Sequence, residues 1–322
     1  MVKFLQIVST LAAAALAASS VCAGPLPADT LDYPLGVQKA IQAREAERLF
    51  VRNNTAPTSP LTNYQQYSFP AQLSQAAYCN LAVGSTVGDA TLLWTAGDGR
   101  STPVVYVAYS PSKGVIVSHQ GTNTSSFSSI LNDADFNKDP VNSRLSYLGS
   151  DVEVHGGFQD TWLRTADSVL AQVQSALADH PGAAILTVGH SLGAAISLFD
   201  ALYLKKQLPS TSVHSIVFGQ PRTGNQAFAD AVDANLAGFV HINNGNDPVP
   251  RLPPTFNGYV HSSGEIWINP HNTNTAVTCP GQENENCSDS LSAFDYKTSD
   301  HTGTYFDVHI AGRGGNCPPV IN

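Results

Sequence analysis

The segment Gly189-His190-Ser191-Leu192-Gly193 constrains the fold of this chain more than any other feature. Residues 183–188 before it form a short apolar run typical of a buried strand, and residues 192–208 form a helical pattern. A strand that turns directly into a helix bends sharply, and the flanking glycines remove side chains that would collide there. The sequence therefore predicts a strained turn that exposes the Ser191 hydroxyl at the carboxyl edge of a sheet.

Strand-type and helix-type patterns alternate along the chain around this turn. The expected strands are residues 103–109, 114–119, 151–155, 183–188, 213–218 and 239–243, and the first two read as a hairpin. The expected helices are one opened by Pro70, then residues 158–180, 192–208 and 226–236. We expect one α/β domain, with a mainly parallel sheet covered by helices on both faces.

The first 23 residues have the organisation of a secretory signal peptide. Lys3 precedes an apolar, alanine-rich stretch over residues 4–18, and small residues at 21–23 precede the expected cleavage site. A membrane anchor needs an apolar run of about 20 residues, and this one is shorter. No later run reaches 18 apolar residues, so we expect a secreted, extracellular protein whose mature chain has no transmembrane segment.

The next segment, residues 24–60, differs in character from the rest of the chain. Residues 35–50 have the pattern of an amphipathic helix, and residues 51–60 form a polar, proline-containing linker. The pattern fits either a propeptide or a docked extension. The compact α/β domain is expected over residues 61–322.

Four cysteines remain after removal of the leader, which suggests two disulfides in a secreted chain. Arithmetic allows three pairings. Cys279 and Cys287 are close enough to close a small loop, which leaves Cys79 to pair with Cys317. Glycosylation sequons stand at Asn53, Asn123 and Asn286.

The charge balance makes a nucleic-acid partner a poor expectation. The chain has 16 Lys and Arg against 25 Asp and Glu, a formal charge of -9, and its basic residues do not cluster. His155 stands beside Gly156-Gly157 without a carboxylate cluster, so a structural role is expected there. We expect no metal, no cofactor and a monomeric protein.

A serine hydroxyl is nearly inert at neutral pH, so Ser191 needs a base and the base needs an orienting carboxylate. In a strand-turn-helix site the order along the chain is Ser, then Asp or Glu, then His. Asp247 follows the strand 239–243 and precedes Pro248, whereas the other acidic candidates lie in helical runs: Asp200, Asp230 and Asp233. Among the later histidines, His261 and His271 fit structural or loop roles, and composition leaves His301 and His309 equal.

Several blocks in order and spacing make residues 61–317 resemble the secreted fungal class 3 lipases, the Rhizomucor-type triacylglycerol lipases and the related feruloyl esterases. These blocks are Ala77-Tyr78-Cys79, Val154-His155-Gly156-Gly157-Phe158, Gly189–Gly193, Gly219-Gln-Pro-Arg-Thr-Gly224, Asp247-Pro-Val-Pro-Arg-Leu-Pro-Pro254, and Asp300-His301 ahead of Tyr305-Phe306. The resemblance implies an α/β-hydrolase fold and a triad of Ser191, Asp247 and His301. It also supports the disulfides Cys79–Cys317 and Cys279–Cys287.

The same resemblance implies an oxyanion hole made by Thr122, after Gln120-Gly121, and by the backbone N–H of Leu192. The family often has Arg where this chain has Gln120, which alters how the neighbouring loop is anchored. In family lipases the following loop is an amphipathic lid. Here the apolar residues Phe127, Ile130 and Leu131 share one helical face, and Phe136 extends the patch.

The resemblance thus implies a secreted serine carboxylic-ester hydrolase, read here as a triacylglycerol lipase whose substrate lies at a lipid–water interface. Two alternatives stay open. One is a feruloyl-type or other carboxylesterase, in which the apolar lid residues pack as core and a glycan at Asn123 hinders closure. The other is a catalytically inactive lipid-binding relative.

Overall fold

The computed structural model describes residues 54–122, 136–310, 315–317, 319 and 321. The strands in these residues are β1 (Ser59–Pro60), β2 (Thr86–Val87), β3 (Ala90–Ala96), β4 (Val105–Ser110), β5 (Gly114–His119), β6 (Lys138–Pro140), β7 (Glu153–His155), β8 (Ile185–His190), β9 (Val213–Phe218), β10 (Val240–Asn244), β11 (Glu265–Ile268), β12 (Ala276–Cys279), β13 (Thr304–Tyr305) and β14 (Val308–His309). The α-helices are α1 (Gln65–Ala76), α2 (Gly156–Leu163), α3 (Ala166–Asp179), α4 (Leu192–Gln207), α5 (Gln226–Asn235) and α6 (Thr298–His301).

Ten strands form one mixed sheet in the order β1-β12-β11-β10-β9-β8-β5-β4-β3-β2. The five central strands β11, β10, β9, β8 and β5 are mutually parallel, and the strands outside them pair antiparallel. The expected hairpin is the β4–β5 pair, with Ser110 opposite Gly114. Because the carboxyl ends of the parallel strands share one edge, the loops after β5, β8 and β10 lie at the same edge of the sheet.

Helices cover both faces of this sheet, as expected. Along β5, Val115 and Val117 belong to a core that includes Trp162 of α2 and Val169 of α3. Ile116, on the opposite face, packs with Leu73 of α1. None of the helices in the described ranges is long and apolar enough to cross a membrane.

Two expected helices differ from the observed ones. Pro70 lies inside α1 rather than at its start, because Tyr67 and Ala71 on the helix pack into a core with Phe218. The expected helix 158–180 is two helices, α2 and α3. Residues 164 and 165 bond three residues back, and Thr165 leaves helical geometry with φ -127°. The apolar period continues across this break, which is why periodicity alone missed it.

The end of the 24–60 segment belongs to the sheet. Ser59 and Pro60 pair with Thr278 and Val277 of β12, and Asn54 Nδ2 donates to the Pro280 carbonyl at 2.6 Å. The expected boundary at residue 61 therefore lies directly after an edge strand. Residues 1–53, with the expected leader and amphipathic helix, lie outside the described residues.

Candidate active site

Ser191 occupies the sharp turn between β8 and α4. It has φ 62° and ψ -131°, a conformation that L-residues rarely adopt, and it is 5% exposed. A Cβ at Gly189 would lie 2.3 Å from the Gly193 carbonyl oxygen, and a Cβ at Gly193 would lie 2.3 Å from the His119 carbonyl oxygen. Both glycines are therefore required by sterics, and the surrounding structure holds Ser191 in its strained conformation.

Asp247 and His301 form a buried pair. His301 Nδ1 lies 2.8 Å from Asp247 Oδ2, and both residues are at most 3% exposed. Asp247 follows β10, and its Oδ1 accepts from the Val249 backbone N–H at 2.8 Å. Because the carboxylate accepts from Nδ1–H, the His301 imidazole presents its lone pair at Nε2, the atom that a general base uses.

Gly219, at the end of β9, makes room for this pair. Its φ is 53°, and a Cβ there would lie 3.0 Å from the His301 ring and 3.1 Å from Asp247 Oδ2. The His301 ring centroid is 4.5 Å from that of His190, the residue before Ser191. The three residues predicted as a triad are thus brought to one edge of the sheet.

The rejected acidic candidates and histidines have other partners. Buried Asp200 binds His119 Nε2 at 2.6 Å and Trp162 Nε1 at 2.7 Å. His261 bonds the Pro250 carbonyl, and His271 bonds Asp300. Residues with surface positions are Asp230, Asp233 and His309, all exposed.

The loop after β5 lies against the turn that holds Ser191. A Cβ at Gly121 would lie 2.9 Å from the Ser191 Cβ and 2.4 Å from the His190 carbonyl oxygen. The Thr122 hydroxyl oxygen is buried and has no hydrogen-bond partner among the described residues. Leu192 is the first residue of α4, where backbone N–H groups lack intrahelical acceptors. The predicted oxyanion donors are therefore neighbours of Ser191.

Gln120 anchors this loop where the family often has Arg. Its backbone N–H donates to the Val104 carbonyl at 2.8 Å, and its side-chain Oε1 accepts from the Val104 N–H at 3.0 Å. Both bonds go to the residue just before β4. Gln120 thus extends the β4–β5 pairing by one residue.

An ion cluster that the sequence analysis missed supports the loop of Asp247. Arg222, fully buried, pairs with both Glu283 oxygens at 2.7 Å and donates to the carbonyls of Arg251 and Pro253. In the sequence, Arg222 stands out only as a member of the Gly219–Gly224 block that carries the family resemblance. Arg222 thereby ties the 247–254 loop to the loop closed by Cys279–Cys287.

Both expected disulfides are present: Cys79–Cys317 and Cys279–Cys287. Among the described residues, one group of three side chains has ligand atoms close enough together to hold a metal ion: Glu265, Cys279 and Cys287. Its two cysteines are joined by the second disulfide and offer no thiolate, so the group does not fit a metal ion.

His155 has the structural role expected of it: its Nδ1 accepts from the Phe158 N–H, and its ring stacks on Phe158. The lid residues Phe127, Ile130 and Leu131 lie outside the described residues.

Comparison with known proteins identifies the family. Residues 116–257 match the family described as Lipase (class 3). The secreted mono- and diacylglycerol lipase MDL2 of Malassezia globosa is 35% identical over 297 residues, which cover 91% of this chain and 97% of that protein. This chain belongs to the class 3 lipase family. It is therefore an ester-hydrolysing enzyme, and it is secreted.

Solved structures of class 3 lipase relatives confirm the α/β-hydrolase fold. A lipase from Rhizopus microsporus var. chinensis aligns with a TM-score of 0.72 and 25% identity, over 81% of this chain and 93% of that one. A triacylglycerol lipase whose catalytic centre is described as a serine protease triad aligns with a TM-score of 0.69 and 25% identity, over 79% of this chain and 99% of that one. The family resemblance drawn from the sequence is confirmed.

Proposed function

We propose that this enzyme hydrolyses acylglycerol esters at a lipid–water interface, with Ser191 as nucleophile, His301 as general base and Asp247 as orienting carboxylate. The buried 2.8 Å contact between Asp247 and His301, beside the strained turn of Ser191, carries the proposal. The name of MDL2, a mono- and diacylglycerol lipase, supports an acylglycerol substrate.

In the proposed mechanism His301 takes the Ser191 proton as the oxygen attacks the ester carbonyl, and Asp247 stabilises the resulting imidazolium. The N–H groups of Thr122 and Leu192, with the Thr122 hydroxyl, hold the oxyanion, each donor contributing roughly 10²–10³ in rate. His301 then protonates the leaving alcohol. Water, activated by the same imidazole, releases the fatty acid from the acyl-enzyme.

The proposal also covers the organisation of the chain. The leader of residues 1–23 is removed, residues 61–322 carry the chemistry, and the apolar residues Phe127, Ile130 and Leu131 form a lid that opens at a lipid surface. We also propose that the enzyme acts as a monomer, since the proposed triad and oxyanion hole need no residue from a second chain. A polydisperse or dimeric peak in size-exclusion chromatography with light scattering would contradict the monomer.

The test compares initial rates on emulsified tri-, di- and monoacylglycerols, on methyl ferulate and on a soluble short-chain ester. We expect emulsion activity that rises above the solubility limit of the substrate, and a loss of at least about 10⁴-fold in Ser191→Ala. A triple variant, Phe127→Ser, Ile130→Ser and Leu131→Ser, should lose the rise and keep turnover of the soluble ester.

Three results would contradict parts of the proposal separately. Strong ferulate turnover with weak emulsion activity would replace the substrate with a feruloyl-type ester. Normal turnover in Ser191→Ala would remove the nucleophile assignment. An unchanged emulsion profile in the triple variant would remove the lid and leave the triad in place.

A further inference from the structure

Two buried side chains that the proposed chemistry does not use lie between His301 and the loop after β5. The described part of that loop, residues 120–122, is called the oxyanion loop below. Tyr78 follows α1 and is 7% exposed, and His190 ends β8 and is 1% exposed. Tyr78 Oη lies 2.8 Å from His190 Nδ1, and His190 Nε2 lies 2.8 Å from the His301 carbonyl oxygen. These contacts form a continuous chain of hydrogen bonds that ends on the backbone of the proposed base.

The chemistry of the acceptor sets the direction of the bonds at His190. A carbonyl oxygen only accepts, so His190 carries its proton on Nε2. Burial, with the His301 imidazole nearby, lowers the pKa of His190 well below its ordinary value, so the ring is neutral. Nδ1 then presents a lone pair, and the Tyr78 hydroxyl donates to it.

The oxyanion loop meets the other side of the phenol oxygen. Burial raises the pKa of the Tyr78 phenol, so the phenol keeps the proton that it donates to His190. A Cβ at Gly121 would lie only 2.3 Å from Tyr78 Oη, so the contact requires glycine. The protons of the two hydrogen bonds therefore point one way, from Tyr78 to His190 and from His190 to the His301 carbonyl, and Gly121 lies against the start of this chain.

We propose that Tyr78 and His190 are positioning residues that hold the oxyanion loop and His301 at a set distance around Ser191. The inference rests on the proposed function, because it concerns the geometry of the same reaction. Gly121 immediately precedes Thr122, and His190 immediately precedes Ser191. A shift of about 1 Å in such groups costs roughly 10²-fold in rate. The chain of hydrogen bonds from Tyr78 through His190 to the His301 carbonyl, called the relay below, therefore affects how well the site stabilises the transition state.

Tyr78→Phe breaks the relay and keeps the ring, and Tyr106→Phe is its matched control. Tyr106 is 1% exposed, and its hydroxyl donates to the Leu73 carbonyl at 2.7 Å, away from the oxyanion loop. On a soluble short-chain ester we expect kcat to fall about 10- to 100-fold in Tyr78→Phe, with KM within about 2-fold of wild type. Tyr106→Phe should keep kcat within about 2-fold.

Affinity for an alkyl boronic acid, which mimics the tetrahedral intermediate, separates positioning from stability. In Tyr78→Phe this affinity should fall by the same factor as kcat/KM, because the analogue needs the oxyanion hole. Thermal unfolding of both tyrosine variants measures the loss of stability: Tyr78→Phe leaves His190 Nδ1 without its donor, whereas in Tyr106→Phe the Leu73 carbonyl keeps the Ser118 hydroxyl at 3.1 Å. His190→Asn gives a second break in the relay and should lower kcat in the same direction.

Equal kcat and boronate affinity in Tyr78→Phe and Tyr106→Phe would overturn the relay. The same holds if Tyr78→Phe lowers activity only in proportion to the unfolded fraction. Ser191→Ala is assayed alongside: retained activity there would overturn the proposed function itself, whereas an inactive Ser191→Ala with a normal Tyr78→Phe removes only the relay.

Discussion

At the residue scale, the histidines in this protein differ by environment rather than by sequence context. His241 and His261 are both buried and stack with their ring centroids 4.8 Å apart. Burial lowers the pKa of His241 to about 4, and burial with the neighbouring His241 lowers that of His261 well below its usual value. Both rings are therefore neutral in the folded enzyme at neutral pH.

These histidines predict a loss of stability in acid. Between pH 6.5 and about 4 the unfolded chain binds a proton at His241 and the folded protein does not, so the free energy of unfolding falls as pH falls. From pH 7 to 4.5, His241 accounts for roughly 2 kcal/mol of that fall. Burial raises the pKa of Glu265, so the folded protein binds a proton there at a higher pH than the unfolded chain does, and this contribution raises the free energy of unfolding as pH falls. Comparison with a variant of His241 separates the contribution of the histidine from that of Glu265.

Urea unfolding of wild type and His241→Gln at pH 7 and 4.5 measures this contribution. The variant should lose less stability between the two pH values than wild type does. Exposed His309→Gln is the control and should keep the wild-type difference. Parallel pH dependence in wild type and His241→Gln would contradict the assignment.

At the element scale, one arginine connects three loops. Arg222 follows β9, binds carbonyls of the loop after β10, and pairs with Glu283 in the loop after β12. A lysine has no planar fork to satisfy two carboxylate oxygens and two carbonyls together. Lysine keeps the charge but leaves some of these buried acceptors without a donor, which costs about 1–3 kcal/mol for each of them.

We therefore expect Arg222→Lys, which leaves several buried acceptors without a donor, to lower the free energy of unfolding by about 3 kcal/mol. The matched control is Arg144→Lys, because Arg144 pairs bidentately with Asp167 in an exposed position. Exposed pairs contribute about 0–1 kcal/mol, so that variant should unfold close to wild type. Equal losses in the two variants, measured by chemical denaturation, would show that burial of the pair is not what stabilises these loops.

At the scale of the whole molecule, the two disulfides close loops of very different size. Cys79–Cys317 spans 238 residues and joins the segment just after α1 to the last residues of the chain. Cys279–Cys287 spans 8 residues. In the chain-entropy account, the long loop stabilises by about 5 kcal/mol and the short one by about 2–3 kcal/mol. The long disulfide also lies next to Tyr78, so its loss affects the site as well as the stability.

Replacing Cys79 and Cys317 together by Ser should therefore destabilise more than replacing Cys279 and Cys287 together. Equilibrium denaturation of the two double variants, with wild type, measures both losses. The opposite order would mean that the short loop acts through the Glu283 that it carries rather than through chain entropy.

The central part of the fold followed from the sequence because its determinants are local. The expected strands at residues 114–119 and 213–218 coincide with β5 and β9, and those at 183–188 and 239–243 are displaced by at most two residues. The short flanking strands β11 and β12 were not predicted, because each is only four residues long and is defined by its partner. The break at residue 164 was missed because the apolar period runs through it.

The sequence by itself determined the turn of Ser191 and the family, since paired glycines record steric collisions within a few residues and ordered motifs record ancestry. It named Asp247 by its place after a strand, but it separated His301 from His309 only through the resemblance. Tertiary structure alone decided which distant groups meet: Tyr78 with His190 across 112 positions, and Arg222 with Glu283 across 61. Such pairs carry no local pattern, because hydrogen bonds and ion pairs depend on distance in space and not on distance along the chain.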